Sequence, residues 1–417
     1  MQVVLLAAGN SSRFVPFNKG LAHKSLITIM GKTLLEHTLE AIKKAGITDV
    51  VLVVNKEETF KDHVGNGEKL GIKITYVVLE EALGMGAALL KAEPYLHDSF
   101  FLMSAYHLEF NEFAKDMLSM QKNGNVVLLG KKDAHFNIYG FMQLDGNKVT
   151  NIVEKPQTEI PQALRIIGIY LLNKQFVEFL KTVPLEHYNF ETALDNFAKQ
   201  QDIFALETTT TTITLKYAWD LLAIKNYLLA QITSYTSEKA QLAQSAKITG
   251  NVYIEDGAKI MEDVTIKGPV YIGKNAFVGN NSVLRNGVII EEDAVAGSYL
   301  ELKNVFMMQN STTHTGVIED SVVGKNCKIA AGIITANVRL DRKEIPATVK
   351  GEKISSGLTA FGMILGDNSQ LGIRVSTMPG VIIGNNVLVG PNTTVMKNVE
   401  DNTKYFTKFQ AVIEEKA

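Results

Sequence analysis

The sequence predicts two successive domains of different construction: an α/β domain with a mainly parallel sheet, then a parallel β-helix of six-residue repeats. Strand-like and helix-like segments alternate over residues 1 to about 230, which is typical of a sheet covered on both faces. From about Leu242, aliphatic residues recur every six positions, a period that neither a helix nor an alternating strand has. We therefore predict domains at residues 1–232 and 240–408.

The first domain begins with an apolar run, Val3–Ala8, that predicts a buried strand. Thr33–Ala45 has apolar residues on one helical face and Gly46 as its stop. Further helix-like segments are Gly86–Leu96, Phe190–Lys199 and Ala218–Ile232. Predicted strands are Asp49–Asn55, Ile72–Leu79, Phe100–Ala105, Val126–Gly130, Ile166–Leu172 and, on its high strand propensity, Thr208–Thr212.

The second domain shows a regular hexapeptide pattern. Each repeat is expected to form one face of a triangular coil, with its aliphatic side chain pointing inward. The pattern slips near His314, and we interpret a gap at about 340–360 as a loop that protrudes from the coil. The predicted inward residues are Ile248, Ile254, Ile260, Ile266, Ile272, Val278, Leu284 and Ile290, then Val317, Val323 and Ile329, then Leu365, Leu371, Ile383, Val389 and Val395.

Composition excludes several classes of protein. The net charge of -2 offers no basic surface for nucleic acid. A single cysteine, Cys327, excludes an internal disulfide and fits a reducing compartment. Apolar runs are too short to span a bilayer, and no basic region precedes the first of them. We expect a cytoplasmic protein that binds neither nucleic acid nor membrane.

A loop of small residues follows the first strand. It reads Gly9-Asn10-Ser11-Ser12-Arg13, and Lys24 comes a little later in His23-Lys24-Ser25-Leu26. Small residues let backbone N–H groups approach an anion, and Arg and Lys neutralise its charge. The segment predicts a phosphate site; the alternative is a buried strand followed by an ordinary surface loop.

Several motifs together carry a family resemblance. They are LAAGNSSRF, HKSL, Gly84-Met85-Gly86, Tyr139-Gly140, Glu154-Lys155-Pro156 and Gly168-Ile169-Tyr170. With the hexapeptide repeats, they make the chain resemble the sugar-1-phosphate nucleotidylyltransferases (sugar nucleotide pyrophosphorylases). It looks most like the two-domain, bifunctional uridylyltransferase/acetyltransferase members. The resemblance implies a Rossmann-like nucleotide-diphospho-sugar transferase domain followed by a left-handed parallel β-helix.

In that family the sugar-1-phosphate oxygen attacks the α-phosphate of a nucleoside triphosphate and expels pyrophosphate. Because the transition state spreads negative charge over the phosphate oxygens, catalysis depends mainly on positioning the substrates and on cations that stabilise this charge. The resemblance implies that Arg13 meets the outgoing phosphates and Lys24 the phosphate under attack. Glu154 and Lys155 would bind the sugar hydroxyls and the sugar phosphate, although a surface charge pair is the alternative for them. The other implied residues are Ala8, Gly9, Asn10, Ser11, Ser12 and Gly84 for the nucleotide, and Gly140 for the sugar.

The chain departs from the family at the metal. The family holds Mg²⁺ with two carboxylates, but Tyr106 and Thr214 stand at those positions. Neither side chain replaces a carboxylate on a hard, oxygen-seeking cation. Mg²⁺ is thus expected from the family while its ligands are not seen; the candidates to compensate are His107, Glu109 and Asp220.

Substrate-reading positions differ as well. Leu79 and Met85 stand where the family usually has Gln and Thr, which hydrogen-bond the base, and Ile166 stands for an Asn near the sugar. A buried base edge left unpaired costs roughly 1–3 kcal/mol per group. These changes suggest that nucleotidyl transfer is weakened, altered or lost.

The β-helix keeps the residues of its acetyltransferase relatives. There a His acts as general base on the amino group of a sugar phosphate, beside an Asn and a Lys, and His314, Asn337 and Lys343 match. A neutral imidazole suits that role. The chain departs from these relatives at Val317, where a Tyr is usual. The alternative for His314 is that it is a solvent-exposed residue of the coil without a catalytic role. Acetyl-CoA would lie along the coil between subunits of a homotrimer.

Three functions remain open from the sequence. The first is a sugar-1-phosphate nucleotidylyltransferase, with a nucleoside triphosphate and a sugar-1-phosphate as substrates. The second is an acetyl-CoA-dependent acetyltransferase on an amino-sugar phosphate. The third is a regulatory trimer that binds a nucleotide sugar without turnover.

Overall fold

The structure, a computed structural model, describes residues 1–81, 83–133, 138–411 and 413 of the 417-residue chain. Backbone contacts divide it into two compact units. The sheet unit comprises Met1–Asn10, Ala22–Ile27 and Lys32–Thr214; the coil unit comprises Ser11–Leu21, Thr28–Gly31 and the described residues from Leu215 onward. The predicted domain limits, 1–232 and 240–408, stay a prediction.

A nine-stranded sheet forms the centre of the sheet unit, in the order β5-β4-β1-β6-β10-β7-β11-β9-β8. Its first four strands are mutually parallel, as predicted. Strand β10 is antiparallel to β6 and β7, and β8 is antiparallel to β9 because a tight turn joins them. The strands of the nine-stranded sheet are β1 Gln2–Ala7, β4 Asp49–Val54, β5 Lys73–Val78, β6 Ser99–Ser104, β7 Val126–Lys131, β8 Gly140–Asp145, β9 Lys148–Glu154, β10 Leu164–Asn173 and β11 Ile203–Glu207. Two further short strands, β2 Thr28–Ile29 and β3 Lys32–Thr33, pair with each other.

The four predicted helices lie close to helices of the structure, and the described residues form three more that the sequence did not indicate, at Glu57–Val64, Ala114–Met120 and Lys174–Leu180. The first starts at Thr33, whose side chain accepts a hydrogen bond from the Glu36 backbone while the Glu36 carboxylate accepts one from Thr33 N, a capping box. The α-helices are α1 Leu34–Lys44, α2 Glu57–Val64, α3 Met85–Ala92, α4 Ala114–Met120, α5 Lys174–Leu180, α6 Asn189–Ala198 and α7 Asp220–Leu229. Short 3₁₀ helices are Lys24–Leu26, Glu68–Leu70, Glu93–Tyr95, Phe110–Glu112 and Lys122–Gly124.

The predicted strand at Thr208–Thr212 is wrong. The chain pairs with β7 one segment earlier, over Ile203–Glu207. At Thr208 it leaves the sheet, and the Thr208 hydroxyl accepts a hydrogen bond from Thr210 N at 3.0 Å. Such local side-chain bonds compete with strand pairing, so the high strand propensity of threonine did not decide the outcome.

The coil unit is a parallel β-helix. Ile248 pairs with Ile266, and Ile266 pairs with Leu284, so three successive hexapeptides complete one coil. Its strands are β12 Tyr235–Thr236, β13 Gln241–Leu242, β14 Lys247–Thr249, β15 Val252–Ile254, β16 Lys259–Ile260, β17 Thr265–Lys267, β18 Val270–Ile272, β19 Phe277–Val278, β20 Val283–Arg285, β21 Val288–Ile290, β22 Val295–Ala296, β23 Leu300–Met307, β24 Thr312–Thr313, β25 Gly316–Val323, β26 Lys328–Ile329, β27 Ile333–Thr335, β28 Ala347–Val349, β29 Glu352–Ile354, β30 Met363–Leu365, β31 Gln370–Leu371, β32 Ser376–Thr377, β33 Val381–Ile383, β34 Leu388–Val389, β35 Thr394–Val395 and β36 Lys404–Tyr405.

The predicted inward residues form one continuous core, with two exceptions. Ile248 is 37% exposed because β14 pairs with β17 alone. Val317 is only half-buried, and its neighbour Ile318 occupies the core instead. The reason is a change of spacing. Thr313 pairs with Ala296 on one side and with Ile329 on the other, so both coils that meet there fall short of three full hexapeptides and the six-residue phase shifts.

The predicted loop at 340–360 interrupts the coil as expected. Strands β28 and β29 form an antiparallel hairpin inside it, and the Leu340 side chain is fully exposed. The coil resumes beyond it, where Leu371 pairs with Ile329.

Two short N-terminal segments are bonded within the coil unit. The buried Glu291 carboxylate accepts hydrogen bonds from Met30 N at 2.5 Å and Gly31 N at 3.2 Å. Lys19 forms an ion pair with Asp401 at 2.7 Å. Among the described residues, no helix has the length and apolarity needed to cross a membrane.

Candidate functional site

The predicted phosphate loop leaves the sheet at the carboxyl end of β1. That strand lies between β4 and β6 and runs parallel to both, so the segments that follow these strands share one edge. Ala105 N donates to Leu6 O at 3.3 Å, which holds the segment after β6 beside the end of β1. A Cβ placed at Gly9 would meet nothing within 4 Å, and Gly9 and Asn10 are exposed whereas Ala8 is buried, so the backbone is open to a ligand at Gly9.

The remaining loop residues, Ser11, Ser12 and Arg13, belong to the coil unit. Arg13 is exposed, and both serines are half-buried. Ser11 has a φ of 52°.

Lys24 opens a 3₁₀ helix that a neutral histidine caps. His23 Nδ1 accepts a hydrogen bond from Ser25 N at 3.2 Å, and burial together with the Lys24 charge lowers the pKa of His23 to about 3. The Lys24 ammonium lies over the Tyr106 ring, 4.8 Å from its centroid. The structure therefore brings the predicted phosphate-binding lysine onto Tyr106, the position at which the resemblance implies a metal ligand.

The second expected metal position, Thr214, also contacts a cation. Its Oγ1 accepts a hydrogen bond from the Arg165 guanidinium at 2.7 Å, and Arg165 pairs with Asp133 at 2.6 Å. A phenol and a hydroxyl, each beside a positive charge, are a poor donor set for a hard divalent cation. Among the described residues no group of three or more His, Cys, Asp or Glu side chains is placed to hold a metal. The residues present do not fit the Mg²⁺ site of the family.

The candidates that the sequence offered as substitutes have structural contacts. Glu109 is fully buried; its Oε1 accepts a hydrogen bond from Ile213 N at 2.9 Å and lies 3.1 Å from His107 Nδ1. In the coil unit, the Asp220 carboxylate accepts hydrogen bonds from the backbone N–H groups of Lys216 and Tyr217, in the turn just before α7. Glu109 ties the segment after β6 to the residue before Thr214, and Asp220 starts a helix.

The predicted sugar residues lie together on β8 and β9. Gly140 pairs with Glu154, and a Cβ at Gly140 would come within 2.7 Å of Glu154 Oε2. Lys155 N donates to Tyr139 O at 3.0 Å, and Lys155 Nζ lies 3.1 Å from the Tyr188 hydroxyl. The Glu154–Lys155 pair is thus held by neighbouring strands beside a hydroxyl group.

The first turn of α6 joins this group, which the sequence did not indicate. Asn189 is 2% exposed, and its amide atoms have no hydrogen-bond partner in the described part of the chain. It lies against Gly86, where a Cβ would clash with its amide. Burial raises the pKa of Glu191, and the nearby Glu154 raises it further. The signal in the sequence was Asn189, a polar residue on the same side of α6 as its buried apolar residues.

Gly84 opens α3 with a φ of 102°, and a Cβ there would lie 2.5 Å from His187 O. Leu79, Met85 and Ile166 are half-buried and pack against the core of the sheet unit. They present hydrocarbon where the family presents amide and hydroxyl groups.

His314 lies in an apolar groove of the coil unit. The groove has a volume of about 660 Å³ and follows successive coils. It is lined mainly by small and aliphatic residues, and its polar members besides His314 are Ser298, Thr312, Thr313, Lys328 and Gln370. The His314 side chain is exposed. Asn337 and Lys343 lie outside the residues that line it.

Asn337 belongs instead to a partly buried chain of hydrogen-bonded polar side chains. Its Nδ2 donates to Asp320 Oδ2 at 2.6 Å, and Asn304 Nδ2 donates to the other Asp320 oxygen at 2.7 Å. Lys225 continues the chain by donating to Asn304 Oδ1 at 2.7 Å, and burial lowers the pKa of Lys225 to about 7. Lys343 is exposed, and its backbone N donates to Asp341 at 3.3 Å.

Two family models match the chain. The model described as "Nucleotidyl transferase" matches residues 2–209, and the model described as "Bacterial transferase hexapeptide (six repeats)" matches 251–286 and 362–397. The protein is thus a transferase with a Rossmann-like nucleotidyltransferase domain and a left-handed hexapeptide β-helix, which confirms the predicted fold class.

Relatives resemble it over its whole length. "Bifunctional protein GlmU" of Methanococcus maripaludis (strain C7) is 38% identical and covers 100% of both chains. A "Bifunctional sugar-1-phosphate nucleotidylyltransferase/acetyltransferase" of Sulfurisphaera tokodaii is 28% identical over 96% of this chain and 98% of its own. A crystal structure of UDP-glucose pyrophosphorylase complexed with UDP-glucose has a TM-score of 0.49 at 22% identity, covering 55% of this chain and 98% of that one.

The chain belongs to the family of bifunctional GlmU proteins. It is an enzyme of the sugar-1-phosphate nucleotidyltransferase type. Nucleotidyltransferases of this kind generally use a divalent metal, and GlmU uses acetyl-CoA.

Proposed function

We propose that the sheet unit joins a nucleoside triphosphate to a sugar-1-phosphate, giving a nucleoside diphosphate sugar and pyrophosphate. One observation carries the proposal. The open backbone after β1 and the segment after β6 lie side by side, and Lys24 contacts the latter at Tyr106. Backbone N–H groups and a lysine at one sheet edge are the features that bind transferring phosphates.

The roles of the predicted residues follow from their chemistry. The backbone of Ala8–Asn10 holds the triphosphate, and Lys24 neutralises the phosphate that is attacked. Glu154 accepts hydrogen bonds from sugar hydroxyls, and Lys155 pairs with the sugar phosphate. Gly140 lets the sugar approach the backbone. The remaining proposed nucleotide contacts are Ser11, Ser12, Arg13 and Gly84.

Pyrophosphate release tests the nucleotidyl transfer. The protein is incubated with four nucleoside triphosphates against a panel of hexose-1-phosphates, with Mg²⁺, with Mn²⁺ and with a chelator. Release that requires both substrates is the expected result. No release with any pair would contradict the proposal.

The coil unit favours a second activity, acetyl transfer from acetyl-CoA to an amino-sugar phosphate. The observation is the exposed His314 at an apolar groove long enough to follow several coils. A neutral imidazole takes the proton as the amine attacks the thioester carbonyl; the C–N bond forms, the C–S bond breaks, and the CoA thiolate leaves. Asn337 and Lys343 are proposed to bind the amino-sugar phosphate.

Thiol release tests the acetyl transfer, with glucosamine-1-phosphate as the first acceptor.

We propose that the protein is a homotrimer, since coils of this kind protect their flanks by lying side by side. Light scattering would then give about three times the chain mass of 45.9 kDa. A monomeric mass would contradict that proposal.

A further inference from the structure

The two places where the family gathers a metal ion are joined in this chain by one buried residue. Glu109 accepts the Ile213 backbone N–H and contacts His107, and the His107 ring lies 5.0 Å from the Tyr106 ring. Glu109 thus contacts both the residue that follows Tyr106 and the residue that precedes Thr214. We define these five residues, Tyr106, His107, Glu109, Ile213 and Thr214, as the bridge.

A fixed positive charge lies against each end of the bridge. The Lys24 ammonium is 4.8 Å from the Tyr106 ring centroid, and Arg165 donates to Thr214 at 2.7 Å. Carboxylates at these two positions would attract a mobile cation. A phenol and a hydroxyl instead accept the side-chain cations that the chain itself supplies.

Arg165 is held rigidly. Its guanidinium pairs with Asp133 at 2.6 Å and stacks on the Tyr139 ring at 3.6 Å. The side chain is only 12% exposed, and its Nε has no hydrogen-bond partner in the described part of the chain. Tyr139 precedes Gly140, the proposed sugar contact, so this preorganised cation lies next to the sugar residues.

We propose that the sheet unit neutralises its substrate's phosphates with Lys24 and Arg165 in place of a carboxylate-held divalent metal, so that triphosphate binds and reacts without one. The inference rests on the proposed nucleotidyl transfer. In that step the sugar-1-phosphate oxygen forms a bond to the α-phosphorus, and the bond from that phosphorus to the β-phosphate oxygen breaks. The electron pair leaves with pyrophosphate, and no oxidant or proton donor is needed.

Calorimetry with inorganic triphosphate and with UTP, each in EDTA and in Mg²⁺, tests the binding. We expect dissociation constants that differ less than threefold between the two conditions. Lys24→Met and the double variant Arg165→Met/Asp133→Leu should each lose at least tenfold in EDTA. The double variant removes both partners of the ion pair, so no buried charge is orphaned.

Asp133→Asn is the matched control, because it keeps Arg165 and removes the competing anion. It should bind triphosphate in EDTA at least as well as the unaltered protein. Circular dichroism of every variant checks that the fold is retained.

The outcomes separate this inference from the proposed function. Binding that appears only with Mg²⁺ overturns the inference and leaves nucleotidyl transfer standing. Binding in EDTA that the Arg165 double variant does not weaken overturns the role of Arg165. Single-turnover pyrophosphate release in EDTA supports the inference, whereas release only with metal overturns its catalytic half. No binding under either condition overturns the proposed function itself.

Discussion

The segment after β6 in the sheet unit and the groove beside His314 in the coil unit keep different parts of their family's chemistry. In the first, the backbone geometry and the lysine are present, but Tyr106 and Thr214 contact cations where carboxylates are expected. In the second, the histidine is present and exposed, and a single usual tyrosine is replaced by Val317. Positions that shape a fold and positions that supply its chemistry are therefore retained independently.

The largest expected effect is on the coil unit. His314→Ala should lower acetyl transfer by roughly 10²–10⁴-fold, the usual contribution of a general base. Thiol release from acetyl-CoA measures it. His63→Ala, an exposed histidine on α2, is the matched control and should leave the rate unchanged. An undiminished rate in His314→Ala would remove the acetyltransferase side of the comparison.

The next effect is on the sheet unit. Lys24→Met should lower pyrophosphate release by about 10²-fold, since a preorganised charge at the reacting phosphate is lost. Lys44→Met, an exposed lysine in the last turn of α1, serves as the control. If both variants keep full activity, Lys24 does not neutralise the phosphate that is attacked, and the inferred difference between the catalytic residues of the two units is smaller than we state.

A third test concerns the core of the coil unit. Ile266→Ala removes a fully buried side chain and should lower the free energy of unfolding by about 2–5 kcal/mol. Ile248→Ala, at a position 37% exposed, should cost less than about 1 kcal/mol because little apolar surface is lost. Denaturant titration measures both. Equal losses would mean that the terminal coil is covered by something in solution.

The smallest effect, taken per pH unit, is on the free energy of unfolding of the sheet unit. The pKa of His23 is about 3 in the fold and 6.5 when exposed, so the unfolded chain binds more protons between these values. The contribution of His23 is complete above pH 6.5 and is lost as pH falls, by up to about 1.4 kcal/mol per pH unit. His23→Asn, which keeps a capping acceptor, should show a shallower decline between pH 6.5 and 4. Parallel declines in the two proteins would contradict the burial of a neutral His23.

Much of the fold was predictable because it depends on patterns among residues that are close together in the sequence. The capping box at Thr33 and the six-residue aliphatic pattern each specify structure from neighbouring residues. The strand at Thr208–Thr212 was wrong because propensity cannot show which segment finds a partner. Val317 was misplaced because the two coils that meet at Thr313 fall short of three full hexapeptides, a change that appears only in the pairing.

The sequence by itself determined the two architectures, because these depend on residue type and spacing, and it predicted the phosphate loop and the absence of metal carboxylates at Tyr106 and Thr214. Only the tertiary structure decided which cations contact Tyr106 and Thr214. Lys24 is distant in the chain from Tyr106, as Arg165 is from Thr214, so no local pattern connects them. Their contacts exist because strand order places the end of β6 beside the end of β1, and places the start of β10 and the end of β11 on either side of the end of β7; strand order is a property of the packed sheet.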